Sequence, residues 1–408
     1  MRRVVVTGMG IVSSLGHTVR SAFERLKIPR NCVEASADLA GYKGLQTRLW
    51  APSRFERPAE YTRKVVRTMS PVSMMALAAT QQALSQAGIG DGDPLLKGGR
   101  LGVAYGSCSG GIEANADFYT VLLNREVKNV TSATYIKMMA QTCAVNLSVH
   151  FGTTGRLLPT GTACTSGSLA IGEAYEAIAW GRQDMMIAGG AEEFSATQVA
   201  VFDTLFATSR RNDAPETSPR AFDSSRDGLV VGDGAATLLL EERDHAISRG
   251  AEILAEIAGF GTNTDGRHVT QPNAETQAQA LALALSDAGV SPSDIGYVNA
   301  HGTATELGDI TESAALSLAF GGERPAVSTI KNYTGHTLGA CGAIEAVMTV
   351  EMLRNGWFAP NLNLTEVDPR CGGHDFITGD GRAFETEFAM TNNFAFGGVN
   401  TSIVLRRV

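Results

Sequence analysis

Several features are scarce in this chain of 408 residues. It has six cysteines and no CxxC pair, which leaves neither a disulfide framework nor a zinc ribbon to expect. Only 19% of residues are charged and the formal net charge is −8, so no overall basic field draws the chain to nucleic acid or anionic lipid. No apolar run approaches the ~18–20 residues that cross a bilayer. The opening Met1-Arg2-Arg3 followed by Val4-Val5-Val6 mimics a charged leader, but the run stops at Gly8 and Gly10 and reads as a first strand. HExxH, GxxxxGK[ST] and close His/Asp/Glu triplets are absent, and Gly8-Met9-Gly10 lacks the third glycine of a dinucleotide fingerprint. The expectation is a cytoplasmic protein with reduced thiols, no metal, no nucleic-acid partner and no membrane insertion.

What the chain does have is apolar bulk and glycine: 44% hydrophobic residues and 45 glycines, enough for a large core and more than one ordinary domain. The chain also contains internal repeats. Val6-Thr7-Gly8-Met9-Gly10 resembles Ile257-Ala258-Gly259-Phe260-Gly261, and Ala83-Leu84-Ser85-Gln86-Ala87-Gly88 resembles Ala284-Leu285-Ser286-Asp287-Ala288-Gly289. A small-residue helix opening at Cys164 and ending near Gly181 matches one opening at Gly339 and ending near Gly356. Each match alone is weak, but their common order argues for a duplication with its joint near residue 250, giving halves 1–250 and 251–408. Strands alternate with helices in both halves, which predicts α/β layers with mostly parallel sheets. The helix predicted over 165–182 is small or apolar all round, so it is placed between two sheets with its counterpart from the second half. The spans 32–62 and 108–160 exceed the repeat and read as insertions that cover a site or build an interface.

Cys164, in Pro159-Thr160-Gly161-Thr162-Ala163-Cys164-Thr165-Ser166-Gly167, sits where a strand gives way to a helix. Unpaired amides there stabilise a thiolate and can hold an oxyanion. A buried structural cysteine fits the same flanks. His301 in Ala300-His301-Gly302-Thr303 and His336 in Gly335-His336-Thr337 lie beside glycines at element ends, where a ring can enter a pocket or simply be satisfied structurally. The glycine pair in Phe394-Ala395-Phe396-Gly397-Gly398 marks either a plain turn or a swinging aromatic gate.

Taken together, these segments resemble the β-ketoacyl-acyl carrier protein synthases, condensing enzymes of the thiolase superfamily. The resemblance runs from Val4 to Asn400 and includes Cys164-Thr165-Ser166-Gly167, His301-Gly302-Thr303-Ala304-Thr305, Lys331 five residues before His336, and Arg226-Asp227-Gly228 ahead of Gly232-Asp233-Gly234. It implies a thiolase-like, five-layered αβαβα sandwich of two duplicated halves, in a dimer. It implies that Cys164 takes an acyl group from a carrier-protein thioester and that malonyl-carrier protein then decarboxylates and condenses with it. His301 and His336 would assist decarboxylation through imidazole hydrogen bonds, and the amides of Cys164 and Phe396 would form the oxyanion hole. Lys331, paired with Glu345, would orient the histidines, and Asp309 would support the His301 loop. Thr270, Thr303 and Thr305 match positions that bond the pantetheine arm. The resemblance implies no cofactor beyond that carrier-borne phosphopantetheine.

This chain departs from the family pattern at Ala395, Val399 and Leu229. Ser109 lies where a bulky residue blocks the acyl tunnel in some members, so Ser109 and Phe396 are read as an acyl-pocket gate. The run from Phe202 to Pro215 and the Gly339-Ala340-Cys341-Gly342 segment resemble ketosynthases of aryl polyene pigment clusters, which can pair with a chain-length-factor subunit. Arg63, Lys64 and Arg67 carry helical spacing and match carrier-docking positions, with Arg125, Lys128, Arg210 and Arg211 as possible additions. An ordinary solvated basic face fits the first three equally well. The alternatives are a coenzyme A-dependent thiolase-like acyltransferase, for which a second cysteine near Gly397 is missing, and a chain-length-factor-type subunit, against which Cys164 stands. Homodimer and heterodimer both remain open, as do the starter acyl group and a structural monovalent cation.

Overall fold

The computed structural model describes residues 1–408. Eleven strands hydrogen-bond into one mixed sheet. In chain order they are β1 Val4–Ser13, β2 Leu101–Gly106, β3 Leu157–Thr160, β4 Met185–Glu192, β5 Gly234–Glu242 and β6 Ala255–Thr264. There follow β7 Ile295–Asn299, β8 Ala326–Ser328, β9 Asp375–Phe376, β10 Phe388–Phe394 and β11 Val399–Arg406. The helices that matter here are α1 Pro71–Gln86, α2 Ser166–Ala179, α3 Ala196–Thr204, α4 Ala274–Ala288, α5 Glu306–Phe320, α6 Lys331–Thr334 and α7 Cys341–Asn355.

The duplication is visible in the strand order. Outward from the seam between β1 and β6, one half runs β1-β5-β4-β2-β3 and the other β6-β11-β10-β7-β8, with β9 added at the far edge. In each half the first two pairings are antiparallel and the next two parallel. Two expectations are corrected here. The sheet is mixed rather than mostly parallel, and the halves share one hydrogen-bonded sheet because Val4–Val6 pair with Ala255–Ile257 across the seam.

Glycines explain how closely each outer helix lies on its strand. A Cβ at Gly8 would fall 2.0 Å from the Ala83 carbonyl oxygen of α1, and one at Gly261 would fall 2.2 Å from the Ala280 carbonyl oxygen of α4. The repeated Gly-x-Gly and Ala-x3-Ala spacings are therefore two halves of one packing device. Between the half-sheets lie α2 and α7, each touching strands of both halves, so the layers read α1, half-sheet, α2/α7, half-sheet, α4/α5. The αβαβα expectation holds. The small and apolar residues of α2 and α7 sit in the largest core cluster, and α7 also buries Glu345.

The expected helix over 165–182 is shorter, because its first turn is a 3-10 turn, Ala163–Thr165. Of the two insertions, 32–62 contributes Leu49–Ala51, which pairs with Val231–Gly232 in a small separate sheet. The second, 108–160, holds the helix Ile112–Asn124, which buries only Ala114 and exposes Leu122 and Leu123.

Candidate active site

The two central helices bring the site together. Each is entered through a tight 3-10 turn whose first residue is left-handed, Ala163 at φ 49° before α2 and Leu338 at φ 49° before α7. That turn places Cys164 beside Gly339, its counterpart in the second half. Cys164 is 6% exposed.

The loop after β7 carries His301, and the segment after α6 carries His336. The His336 backbone is held by Val230 and Gly232: its N–H donates to the Val230 carbonyl at 2.7 Å and its carbonyl accepts from Gly232 at 3.0 Å. Gly335, at φ 64°, is required here, since a Cβ would meet the Val230 carbonyl oxygen at 2.7 Å. The ring then lies with Nε2 3.0 Å from Cys164 Sγ. The two imidazoles meet edge to face, centroids 5.2 Å apart at 88°.

Proton positions follow from the donors behind each ring. The Leu338 N–H donates to His336 Nδ1 at 3.2 Å, and the Lys331 ammonium donates to His301 Nδ1 at 3.1 Å. A nitrogen that accepts has no proton, so each neutral ring carries its proton on Nε2. Burial, then the Lys331 charge, holds both histidines well below the usual imidazole range. Lys331 itself ion-pairs with Glu345, and that carboxylate outweighs burial and keeps it an ammonium. The site is therefore two neutral Nε2–H donors backed by one buried cation.

Burial and the helix-end amides act on Cys164 in opposite directions. Burial pushes its pKa up to about 11, although Lys331 and the backbone N–H groups of Phe396 and of Cys164 itself pull the other way. Those two amides offer hydrogen bonds at the sulfur, the arrangement an oxyanion needs.

Four contributors escaped the sequence reading. Glu312 accepts from the N–H groups of His301 and Gly302, each at 2.7 Å, and burial raises its pKa to about 8. Asn393 donates to Glu345 at 2.6 Å and faces His301 Nδ1 at 3.4 Å. Glu192 accepts from Cys108, Ser109 and Gly339 N–H groups. The Cys341 thiol donates to the Cys164 carbonyl at 3.2 Å. Glu312 stands three residues beyond Asp309 on α5, a same-face spacing that was legible; the others announce themselves only in three dimensions.

Asp309 accepts from the Phe222 N–H at 2.7 Å and the Ala304 N–H at 3.1 Å beside Arg226. A cavity of about 480 Å³ opens onto Cys164, His301 and His336. Thr270, Thr303, Thr305 and Phe396 all line it, and the Thr303 and Thr305 hydroxyls lie 2.8 Å apart. The Phe396 ring packs on Phe202, centroids 5.6 Å apart. Ser109 does not line this cavity; its hydroxyl accepts from Gln198 and its N–H donates to Glu192.

Arg63, Lys64 and Arg67 are exposed and without a carboxylate partner, but they lie in a run of turns rather than on a helix, because turn and helix share that short spacing. Arg125 and Lys128 are also exposed, Lys128 being paired with Glu126. Arg210 lies over the Phe206 ring at the cavity, and Arg211 pairs with Asp227. All six cysteines are free thiols, and no helix is long and apolar enough to cross a membrane.

Comparison with known proteins agrees with this geometry. The family model described as "Beta-ketoacyl synthase, N-terminal domain" matches residues 1–246, and "Beta-ketoacyl synthase, C-terminal domain" matches residues 254–365. The 3-oxoacyl-[acyl-carrier-protein] synthase 2 of Vibrio cholerae is 38% identical over 416 residues, covering 100% of this chain and 99% of its own. The crystal structure of a beta-ketoacyl synthase from Burkholderia phymatum STM815 is 54% identical with a TM-score of 0.98, covering 100% of both chains. The ishigamide ketosynthase/chain length factor is 27% identical with a TM-score of 0.90, covering 100% of this chain and 99% of its own. With two family models spanning most of its length, the chain belongs to the beta-ketoacyl synthase family.

Proposed function

We propose that Cys164 carries the growing acyl chain in a 3-oxoacyl-acyl carrier protein synthase, and that His301, His336 and Lys331 drive the decarboxylative half of its reaction. The enzyme is a condensing acyltransferase whose substrates ride on carrier-bound phosphopantetheine. First the Cys164 sulfur bonds to the acyl carbonyl carbon, the carbon–sulfur bond to the carrier breaks, and the thiol proton ends on the departing carrier thiol. The amides of Cys164 and Phe396 hold the oxyanion of that step. Malonyl-carrier protein then loses carbon dioxide, and the electron pair of the broken carbon–carbon bond forms an enolate. The enolate carbon attacks the acyl-cysteine carbonyl carbon, the carbon–sulfur bond breaks, and Cys164 leaves as a thiolate that takes a proton from water.

The observation that carries this reading is the pair of fixed Nε2–H tautomers facing the Cys164 cavity. An enolate oxygen needs neutral donors, and a hydrolase would instead need a histidine base oriented by a carboxylate. Glu345, Asn393, Glu312 and Asp309 position these groups, and Thr270, Thr303 and Thr305 bond the pantetheine arm. The halves divide at about residue 250, the first carrying the cysteine and the second the histidines and lysine. Arg63, Lys64 and Arg67 steer the acidic carrier.

For the acyl chain we commit to an aryl-capped polyene, which the aromatic walls Phe202, Phe394 and Phe396 suit. The exposed helix Ile112–Asn124 and the edge strand β3 suit pairing with a second subunit, a copy or a chain-length-factor-like partner. Six unpaired thiols suit the cytoplasm.

Mass spectrometry after incubation with acyl-carrier protein tests the reading: the adduct is expected on Cys164 and is discharged as a chain longer by two carbons when malonyl-carrier protein is added. An adduct elsewhere, or hydrolysis in place of condensation, would overturn it. Competition between saturated and aryl-polyene donors decides the chain.

A further inference from the structure

One residue at the cavity breaks a local rule. Helix α3 ends in a paired hydrogen-bond motif, with the Phe206 N–H donating to the Asp203 carbonyl at 3.0 Å and the Ala207 N–H to the Phe202 carbonyl at 2.9 Å. The residue just past such an end is left-handed and is normally glycine or asparagine. Here it is phenylalanine, at φ 55°. A bulky residue in that region is a genuine outlier, and backbone strain of this kind persists at ligand clamps.

The Phe206 ring is 78% exposed, although it lines the Cys164 cavity. Its main support is the Arg210 guanidinium, 5.4 Å from the ring centroid. Arg210 has no carboxylate partner, since Asp227 pairs instead with Arg211 and accepts from the Arg210 backbone N–H. The segment between them is not loose: Leu229 N–H donates to the Ala207 carbonyl and Ser209 N–H to the Leu229 carbonyl, at 2.8 and 2.9 Å. An exposed aromatic face on the cavity that also carries Thr270, Thr303 and Thr305 therefore has an unneutralised planar cation beside it.

We propose that Phe206 and Arg210 form a clamp for the phosphopantetheine arm, the ring stacking on its amide planes and the guanidinium pairing with its phosphodiester. Planar amides pack on aromatic faces, and guanidinium is the preferred bidentate partner of phosphate. The clamp rests on the reading above, in which the substrate arrives on such an arm.

The test compares Cys164 acylation, as kcat/KM, by one acyl group on three thiols: N-acetylcysteamine, pantetheine and 4′-phosphopantetheine. Phe206→Gly is expected to lower the pantetheine-to-N-acetylcysteamine ratio about tenfold while raising the thermal midpoint, because glycine relieves the left-handed turn. Phe206→Tyr keeps the ratio. Arg210→Ala is expected to lower the phosphopantetheine-to-pantetheine ratio about tenfold, with partial recovery in Arg210→Lys. Ratios that do not move would overturn the clamp. So would a changed oligomeric mass of Phe206→Gly, which would make the ring a subunit contact. No adduct from any donor on the parent chain would overturn the nucleophile assignment itself, and the clamp with it.

Discussion

At the scale of single residues the site is a set of fixed donors, and its acid limb follows from that. Both imidazoles are held below 6.5 by burial and by Lys331. Their neutral form is thus favoured in the folded state, and the stability tied to it is complete above pH 6.5 and lost as pH falls through the lowered folded values. The two imidazoles should accordingly titrate only well below pH 6.5, where protonated rings lose the Leu338 and Lys331 hydrogen bonds and condensation falls; a ring midpoint at or above 6.5, followed by NMR of the two histidines, would contradict the tautomer assignment. The Lys331–Glu345 pair gives a second prediction. Lys331→Met leaves a carboxylate buried beside Asn393 and should cost about 3–5 kcal/mol in denaturant unfolding, whereas Lys331→Met with Glu345→Leu should recover much of that loss while remaining inactive. Cys164, His301, His336, Lys331 and Glu345 were legible because each sits in a short motif. Glu192 and Asn393 were not, since an acid or amide at a strand end reveals its partners only when a remote segment crosses it.

At the scale of elements, the close approach of outer helices to their strands depends on absent side chains. Gly8→Ala would drive a methyl against the Ala83 carbonyl, and Gly261→Ala would do the same at Ala280. Each should lower stability by about 1–3 kcal/mol, as overpacked sites do. Gly41→Ala, with nothing within 4 Å of the added Cβ, should stay within about 0.5 kcal/mol in the same thermal measurement. The repeats that place these glycines were readable because identical packing leaves identical spacing. The single continuous sheet was not, because its seam rests on three paired residues of β1 and β6 with no signature of their own. The turn at 63–67 misled for the opposite reason: a basic triplet at i, i+1 and i+4 looks the same on a helix and on linked turns.

At the scale of the whole molecule, a net charge of −8 must admit an acidic carrier, so local cations have to act against the general field. Lys64→Glu with Arg67→Glu should raise KM for carrier-bound substrate several-fold at low salt, and the difference should shrink as salt rises. An equal loss on a small acyl thioester, measured alongside, would place the effect elsewhere. The paired central helices have one more consequence. Cys164 and Gly339 are equivalent positions of a duplicated turn, yet a Cβ at Gly339 would lie 2.6 Å from a Glu192 oxygen and 2.8 Å from the Cys108 nitrogen. The two ancestral sites cannot both be armed. The molecule therefore has a single berth for an acyl group, and each chain must be passed on before another can be loaded.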